Sequence, residues 1–213
     1  MKDYILFDFD GTVFDTAEGI TKCVQYALYK MGIEAELDEL MCFAGPPLVE
    51  MFMQKYGMSE KDALHATELY RERYLPIGWA ECSPFDGMHE LMQRLRAAGK
   101  KLAVATSKPE RLARQILEHY SMTDDFDLIC GSEFDGTRGQ KWEVIDFVLK
   151  SFGIEPTDAI MVGDRKYDVI GAKKCGLDCI GVRFGYAEPN ELEEHGAVYI
   201  AETADDLYNY LVN

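Results

Sequence analysis

Four short runs in this chain are apolar at consecutive positions: Tyr4-Ile5-Leu6-Phe7, Leu102-Ala103-Val104-Ala105, Leu128-Ile129-Cys130 and Ala159-Ile160-Met161-Val162. A strand with one wet face alternates apolar and polar side chains, so runs without polar alternates belong to strands buried on both sides. Helical stretches separate them: His89 to Ala98, a helix with Pro109 just inside its start that continues to about Tyr120, Lys141 to Ser151, and Tyr167 to Cys175. Cys179–Val182 and Val198–Ile200 add two strands, and Ala204–Leu211 a closing helix. Strands alternating with helices in this way predict an α/β fold, a Rossmann-like parallel sheet covered by helices on both faces.

The segment after the first strand breaks that rhythm. From Thr16 to Trp79 there is no strand signal. Ala17 to Met31 carries Ile20, Val24, Ala27, Leu28 and Met31 on one helical face and stops at Gly32. A short helical stretch near Leu37–Phe43 is broken by Gly45-Pro46-Pro47, and Leu48–Tyr56 resumes the helical pattern. Ser59 is the N-cap candidate of a longer helix reaching about Leu75. An all-helical block inserted between the first and second strands predicts a separate cap domain at 16–79, with 1–15 and 80–213 forming the core.

Composition narrows what such a fold can do. The net charge of −16 argues against nucleic acid, whose binding relies on Lys and Arg neutralising phosphates. No apolar run approaches the roughly 18 residues of a transmembrane helix, and Met1-Lys2-Asp3 leads straight into the first strand, so a soluble cytoplasmic protein with no membrane partner is expected. The six cysteines are scattered, and only Cys175 and Cys179 lie close, at a spacing unlike a C-x-x-C redox or zinc site; free thiols are expected. His65, His89, His119 and His195 share no spacing and read as solvated or structural.

In open α/β sheets ligands bind beyond the carboxyl ends of the strands. The first strand delivers Asp8 and Asp10 there, two residues apart and so on the same side, with Gly11 permitting a sharp turn and Thr12 offering a hydroxyl and an amide. The next delivers Thr106 and Ser107, another Gly131-Ser132, and a fourth Gly163-Asp164 with Asp168 four residues on. Lys141 opens a helix whose start faces the same edge. Acids forced together at a strand end repel unless a cation lies between them. Three acids, hydroxyls and a lysine at one rim suit phosphoryl transfer, in which a divalent cation bridges carboxylate and phosphate while hydroxyl, lysine and turn amides hold the phosphoryl oxygens. Hard oxygen ligands favour Mg2+.

Asp8-x-Asp10-Gly11-Thr12, Thr106-Ser107-Lys108-Pro109, Lys141 and Gly163-Asp164-Arg165-Lys166-Tyr167-Asp168 stand in the order of the four motifs of the haloacid dehalogenase superfamily, and the chain resembles its phosphoglycolate phosphatase-like branch along its whole length. The resemblance implies a Mg2+-dependent phosphatase acting on a small phosphate monoester, phosphoglycolate-like or a sugar phosphate, as a monomer or homodimer. It implies Asp8 as nucleophile and Asp10 as general acid and base. Gly11, Thr12, Thr106, Ser107 and Lys141 would bind the phosphoryl group, with Lys108 a rival lysine. Asp8, the Asp10 carbonyl and Asp164 would hold the metal, with Asp168 in support. Thr106 as a mere helix cap and Asp168 as a helix-start residue are the plainer readings of those positions.

Neighbouring chemistries are separable. Haloacid dehalogenases and phosphonatases lack the second acid, which Asp10 supplies here. A β-phosphoglucomutase-like phosphomutase keeps both acids but usually carries Arg and Ser where this chain has Gly45-Pro46-Pro47-Leu48. A 5'-nucleotidase of the same superfamily stays open as an alternative, whereas a silent binding protein would be expected to have lost an acid or the lysine. Gly45-Pro46-Pro47, stiffened by its prolines, is the candidate specificity loop. Substituting Pro46 and Leu48 should then change kcat/KM unequally among large phosphate esters and least for p-nitrophenyl phosphate; equal losses across a substrate panel would assign the loop to the fold instead.

Overall fold

The structure is a computed structural model and describes residues 2–213. By its internal contacts the chain divides into two compact units, 1–14 with 84–213, and 15–83. The expected helical insertion of 16–79 is therefore one residue longer at its start and four longer at its end.

The larger unit opens with β1 (Tyr4–Phe7), and the first half of a two-residue ribbon, β2 (Phe14–Asp15), follows where the chain passes to the smaller unit. The smaller unit holds α1 (Ala17–Lys30), a 3₁₀ segment at Leu37–Phe43, α2 (Leu48–Tyr56), α3 (Glu60–Tyr74) and a 3₁₀ turn at Gly78–Ala80. The chain then runs through β3 (Ser83–Pro84), which pairs with β2, α4 (Met88–Ala97), β4 (Lys101–Pro109), α5 (Glu110–His119), β5 (Leu128–Ser132), α6 (Lys141–Phe152), β6 (Ala159–Gly163), α7 (Lys166–Lys174), β7 (Asp178–Val182), α8 (Glu191–His195), β8 (Tyr199–Ala201) and α9 (Ala204–Val212).

Six of these strands form one parallel sheet in the order β5-β4-β1-β6-β7-β8, as the unalternated apolar runs require. Leu6, Ala103, Ala105 and Met161 pack with Val144, Ile145 and Val148 of α6 and Val169 and Ala172 of α7 in one buried cluster. The alternate residues Ile5, Phe7, Leu102, Val104, Ile160 and Val162 are buried as well, so both faces are covered. From β1 the connections run outward to β4 and β5, and from β6 outward to β7 and β8. The order therefore reverses between β1 and β6, and that reversal opens a crevice at their carboxyl ends.

The helical unit is held by α1 and α2 against α3. Phe43 and Phe52 pack with ring centroids 4.9 Å apart, and Arg73 grips Glu81 through two hydrogen bonds of 2.7 and 3.0 Å. Ser59 caps α3 as its sequence position suggests, accepting the Asp62 N–H at 3.2 Å. The Leu37–Phe43 stretch is 3₁₀ and not α-helical, and α8 was not apparent in the sequence because five residues give no periodicity to read. The six cysteines are free thiols. No helix among the described residues is long and apolar enough to cross a membrane.

One irregularity shapes the rim. β4 continues past Thr106 to Pro109 with a register shift against β5, and Pro109 precedes α5 as its N-cap residue and does not lie inside it. The displaced end passes so close to β5 that a Cβ on Gly131 would stand 2.4 Å from the Lys108 carbonyl and 2.7 Å from the Glu110 nitrogen. Both neighbours are backbone and neither can swing aside. Gly131→Ala should therefore destabilise the protein by about 1–3 kcal/mol in urea unfolding and lower kcat, because the backbone that must shift carries Thr106 and Lys108.

Candidate active site

The crevice between β1 and β6 is where the acids collect. Asp8 follows β1, its amide donating to the Val162 carbonyl at 2.9 Å, so it still belongs to the sheet when its side chain reaches the rim. Asp164 follows β6 and Asp168 lies in the first turn of α7. One carboxylate oxygen from each of Asp8, Asp164 and Asp168 falls within 4.8 Å of the others, and all three residues are buried.

Lys141, the first residue of α6, threads its ammonium into this group, 2.7 Å from Asp8 Oδ1 and 2.9 Å from Asp168 Oδ1, and donates to the Ala105 carbonyl at 3.1 Å. Gly171 on α7 leaves room for its stem: a Cβ there would lie 2.7 Å from Lys141 Cγ. Asp10 turns elsewhere. Its carboxylate meets Lys108 Nζ at 2.9 and 3.3 Å, outside the triad of acids. The two rival lysines thus divide the two leading acids between them, Lys141 with Asp8 and Lys108 with Asp10.

The remaining sequence candidates fall around these pairs. Thr12 is fully buried and donates through Oγ1 to Asp164 Oδ1 at 3.2 Å. Thr106 Oγ1 accepts the Lys108 N–H at 3.1 Å and does not cap α5, since Pro109 occupies the cap. The Ser107 carbonyl accepts from Ser132 Oγ at 2.8 Å. Asp168 Oδ2 accepts the Arg165 N–H at 3.0 Å and fixes the start of α7, the plainer of the two readings of that position, while Oδ1 faces the acid cluster and the Lys141 ammonium. Gly45, Pro46 and Pro47 lie in the helical unit, Pro46 buried and Pro47 immediately before α2.

Two contributors, Gly185 and Tyr186, went unread in the sequence. The loop after β7 brings the Tyr186 N–H to Asp164 Oδ2 at 2.8 Å, and a Cβ on Gly185 would stand 2.3 Å from both Asp164 Cβ and the Gly11 carbonyl. Gly11 itself has φ +82°, and a Cβ there would meet Asp164 Oδ2 at 2.1 Å. A Cβ on Gly163 would likewise strike the Asp168 carboxylate at 2.3–2.4 Å. Gly11 and Gly163 stand inside motifs read from the sequence, but Gly185 looks there like an ordinary turn, and only its spatial neighbours give it meaning.

Charge is the decisive property. The triad holds three acids against Lys141, while Asp10 is matched by Lys108 and Glu191 by Arg165. Burial pushes the Asp8 carboxyl up to about 6, with Lys141 pulling it back and Asp168 adding to the rise. Burial and then the charges of Asp168 and Asp8 push Asp164 well above the ordinary carboxylate range, against the opposing Tyr186 N–H. Burial works against the Lys141 ammonium, but Asp168 and Asp8 outweigh it and hold it firmly protonated. A buried excess of acids over lysine and an all-oxygen donor set fit a hard divalent cation.

A parallel sheet with this carboxylate–lysine cluster at its switch point suits phosphoryl transfer, and comparison with known proteins gives the class, a hydrolase of phosphoric monoesters. The profile of the haloacid dehalogenase-like hydrolases matches residues 5–182, and the chain belongs to that family. Among its relatives, a 5'-nucleotidase of Pseudomonas aeruginosa is 46% identical over 192 residues, covering 90% of this chain and 87% of that protein. Tyrosine-protein kinase PtkA of Mycobacterium tuberculosis is 38% identical, covering 95% and 70%. A phosphoglycolate phosphatase of Psychrobacter arcticus is 25% identical, covering 99% and 96%. The crystal structure of a predicted phosphatase from Clostridium acetobutylicum superposes with a TM-score of 0.97 at 43% identity, covering 100% of this chain and 99% of that one.

The raised Asp8 carboxyl gives a pH signature. Between its ordinary value of 3.8 and about 6, the unfolded state loses this proton while the folded state keeps it, so stability from this group is lost as pH rises through that window. Asp8→Asn removes the titration. In divalent-free buffer the stability of Asp8→Asn relative to the native protein should grow by on the order of 2–3 kcal/mol between pH 4 and pH 7, measured by paired urea titrations; a pH-independent difference would contradict the assignment.

Proposed function

We propose that this protein is a Mg2+-dependent phosphatase that hydrolyses a small phosphate monoester through an aspartyl-phosphate on Asp8. The observation that carries the reading is the meeting of Asp8, Asp164 and Asp168 around Lys141, with the separate Asp10–Lys108 pair beside it. In this reading Asp8, Asp164 and the Asp10 carbonyl hold the cation, with Asp168 in support. Bound there, the cation offsets the negative charge that otherwise opposes a phosphate dianion.

Asp8 Oδ1 is engaged by the Phe9 N–H at 2.7 Å and by Lys141, which leaves Oδ2 as the oxygen that attacks phosphorus. As the new P–O bond forms, the bond to the leaving alcohol breaks, and Asp10 delivers the proton that alcohol needs. Asp10, again a carboxylate, then takes a proton from water as it attacks the acyl phosphate, releasing inorganic phosphate and restoring Asp8. In this reading Lys141, the Thr106 hydroxyl and Ser107 hold the phosphoryl oxygens, whereas the Gly11 and Thr12 amides, expected there, donate instead to the Phe14 and Phe9 carbonyls at 2.8 and 3.3 Å. Lys108 orients Asp10. The 15–83 unit, through Gly45-Pro46-Pro47, selects the leaving group, and the protein works in the cytoplasm as a monomer or homodimer.

For the ester itself, the 46% identity to a protein named 5'-nucleotidase supports nucleoside 5'-monophosphates over phosphoglycolate, whose namesake stands at 25%. The test is a panel of nucleoside monophosphates, phosphoglycolate, sugar phosphates and p-nitrophenyl phosphate. With Mg2+, nucleoside monophosphates should lead phosphoglycolate in kcat/KM by about tenfold or more, some 1.4 kcal/mol of transition-state binding; the opposite order would restore the phosphoglycolate-like reading. Exhaustive chelation should abolish turnover, Ca2+ should inhibit because it accepts higher coordination and longer bonds, and Asp8→Asn should retain under about one per cent of kcat. Full activity after chelation, or a competent Asp8→Asn, would overturn the mechanism.

A further inference from the structure

Behind the acid cluster lies a second carboxylate–cation arrangement that the proposed chemistry does not use. Glu191, the first residue of α8, is buried, and its carboxylate is directed not to solvent but to the turn that joins β6 to α7. Oε1 accepts from Arg165 Nε at 3.0 Å and from the Lys166 N–H at 2.8 Å, while Oε2 accepts the Glu188 N–H at 3.0 Å. The turn so gripped, Arg165 to Tyr167, is the whole span between Asp164 and Asp168.

We propose that Glu191 is a positioning residue for the cation site, fixing the separation of Asp164 and Asp168 by holding the turn between them from outside; this rests on the reading of that cluster as a Mg2+ site. Two carboxylates clamp the turn from opposite sides. Asp168 Oδ2 takes the Arg165 N–H from within, and Glu191 Oε1 takes the next amide, that of Lys166, together with the Arg165 side chain. The first clamp also decides where Asp168 Oδ1 points, since one oxygen bound to the turn leaves the other facing Lys141 and the cluster. Loosening the outer clamp releases the backbone to which Asp168 is tied.

Charge gives Glu191 a second task. Arg165 is buried, and beside three acids an unanchored guanidinium would be drawn into the cluster, where it would compete with the cation for the same oxygens. The pair with Glu191 holds Arg165 to the outer side of the turn while its charge still acts at a distance on Asp164. Partners that orient metal ligands from behind characteristically change metal affinity by about 10- to 100-fold when removed.

Glu191→Ala removes both functions. Glu191→Gln keeps an oxygen for Lys166 and Arg165 but loses the charge and presents an amide N–H toward the Glu188 N–H. Mg2+ binding to the full chain, measured by isothermal titration calorimetry without substrate, should weaken by about 10- to 100-fold in Glu191→Ala and by less in Glu191→Gln. The Mg2+ concentration that half-saturates turnover should rise in parallel, and kcat at saturating Mg2+ should recover to within a few-fold of the native value. Unfolding in divalent-free buffer reports any purely structural loss, and if Glu191→Ala does not fold, Glu191→Gln carries the comparison. Native-like Mg2+ affinity in a folded variant would overturn the proposal. Failure of the native protein itself to bind Mg2+ would instead overturn the reading of the cluster as a Mg2+ site, and this inference with it.

Discussion

The ammonium of Lys141, held between Asp8 and Asp168, is the contact on which the carboxyl edge of the sheet depends. Burying a carboxylate is unfavourable by several kcal/mol unless it is paired, and three lie here beside one lysine. Much of the local architecture follows from accommodating that group. α6 begins where its first side chain reaches the acids, α7 has Gly171 where the lysine stem passes, and Gly163 makes room for the Asp168 carboxylate. A cluster with excess charge weakens the fold, and the sheet, buried on both faces from Ile5 and Leu6 through Met161 and Val162, supplies the apolar burial that offsets it.

What could be read from the sequence, and what could not, divides along sequence distance. β1, β4, β6 and the helices after them were legible because strand and helix periods are local and each run carries its own pattern. Asp8, Asp10, Asp164, Asp168 and Lys141 were legible because strand ends mark the rim whatever the strand order. The division of labour between the lysines was not. Lys108 and Lys141 both lie near strand or helix ends, and only the bulged end of β4 reveals that Lys108 turns to Asp10. Thr12 looked like a phosphate ligand and is bonded to Asp164, a contact spanning 152 positions that no local pattern foretells. Gly185, Tyr186 and Glu191 were silent for the same reason: loop residues acquire their roles from what the fold lays beside them.

Asp168 shows how a bland and a functional explanation coexist in one side chain. Its Oδ2 does what an acid in the first turn of a helix ordinarily does, accepting a backbone N–H. That bond makes the carboxylate rigid, so Oδ1 is delivered to the cluster with little freedom left to lose when a ligand arrives. The contact that starts the helix thus also fixes a buried carboxylate in the cluster, four residues beyond Asp164.

The chain as a whole carries −16, and an anionic ester must approach it against that field. Inside the site neither lysine is a free positive charge, since Lys108 is matched by Asp10 and Lys141 faces two acids. Two unit charges 4 Å apart repel by about 4 kcal/mol at the effective dielectric of a protein surface. A phosphate dianion brought among uncompensated carboxylates would therefore lose more through repulsion than a few hydrogen bonds at about 1 kcal/mol each return. Fully ionised, the triad would exceed its lysine by two negative charges, the amount one divalent cation cancels. On the proposed Mg2+ reading, restoring that balance removes the repulsion that opposes the ester.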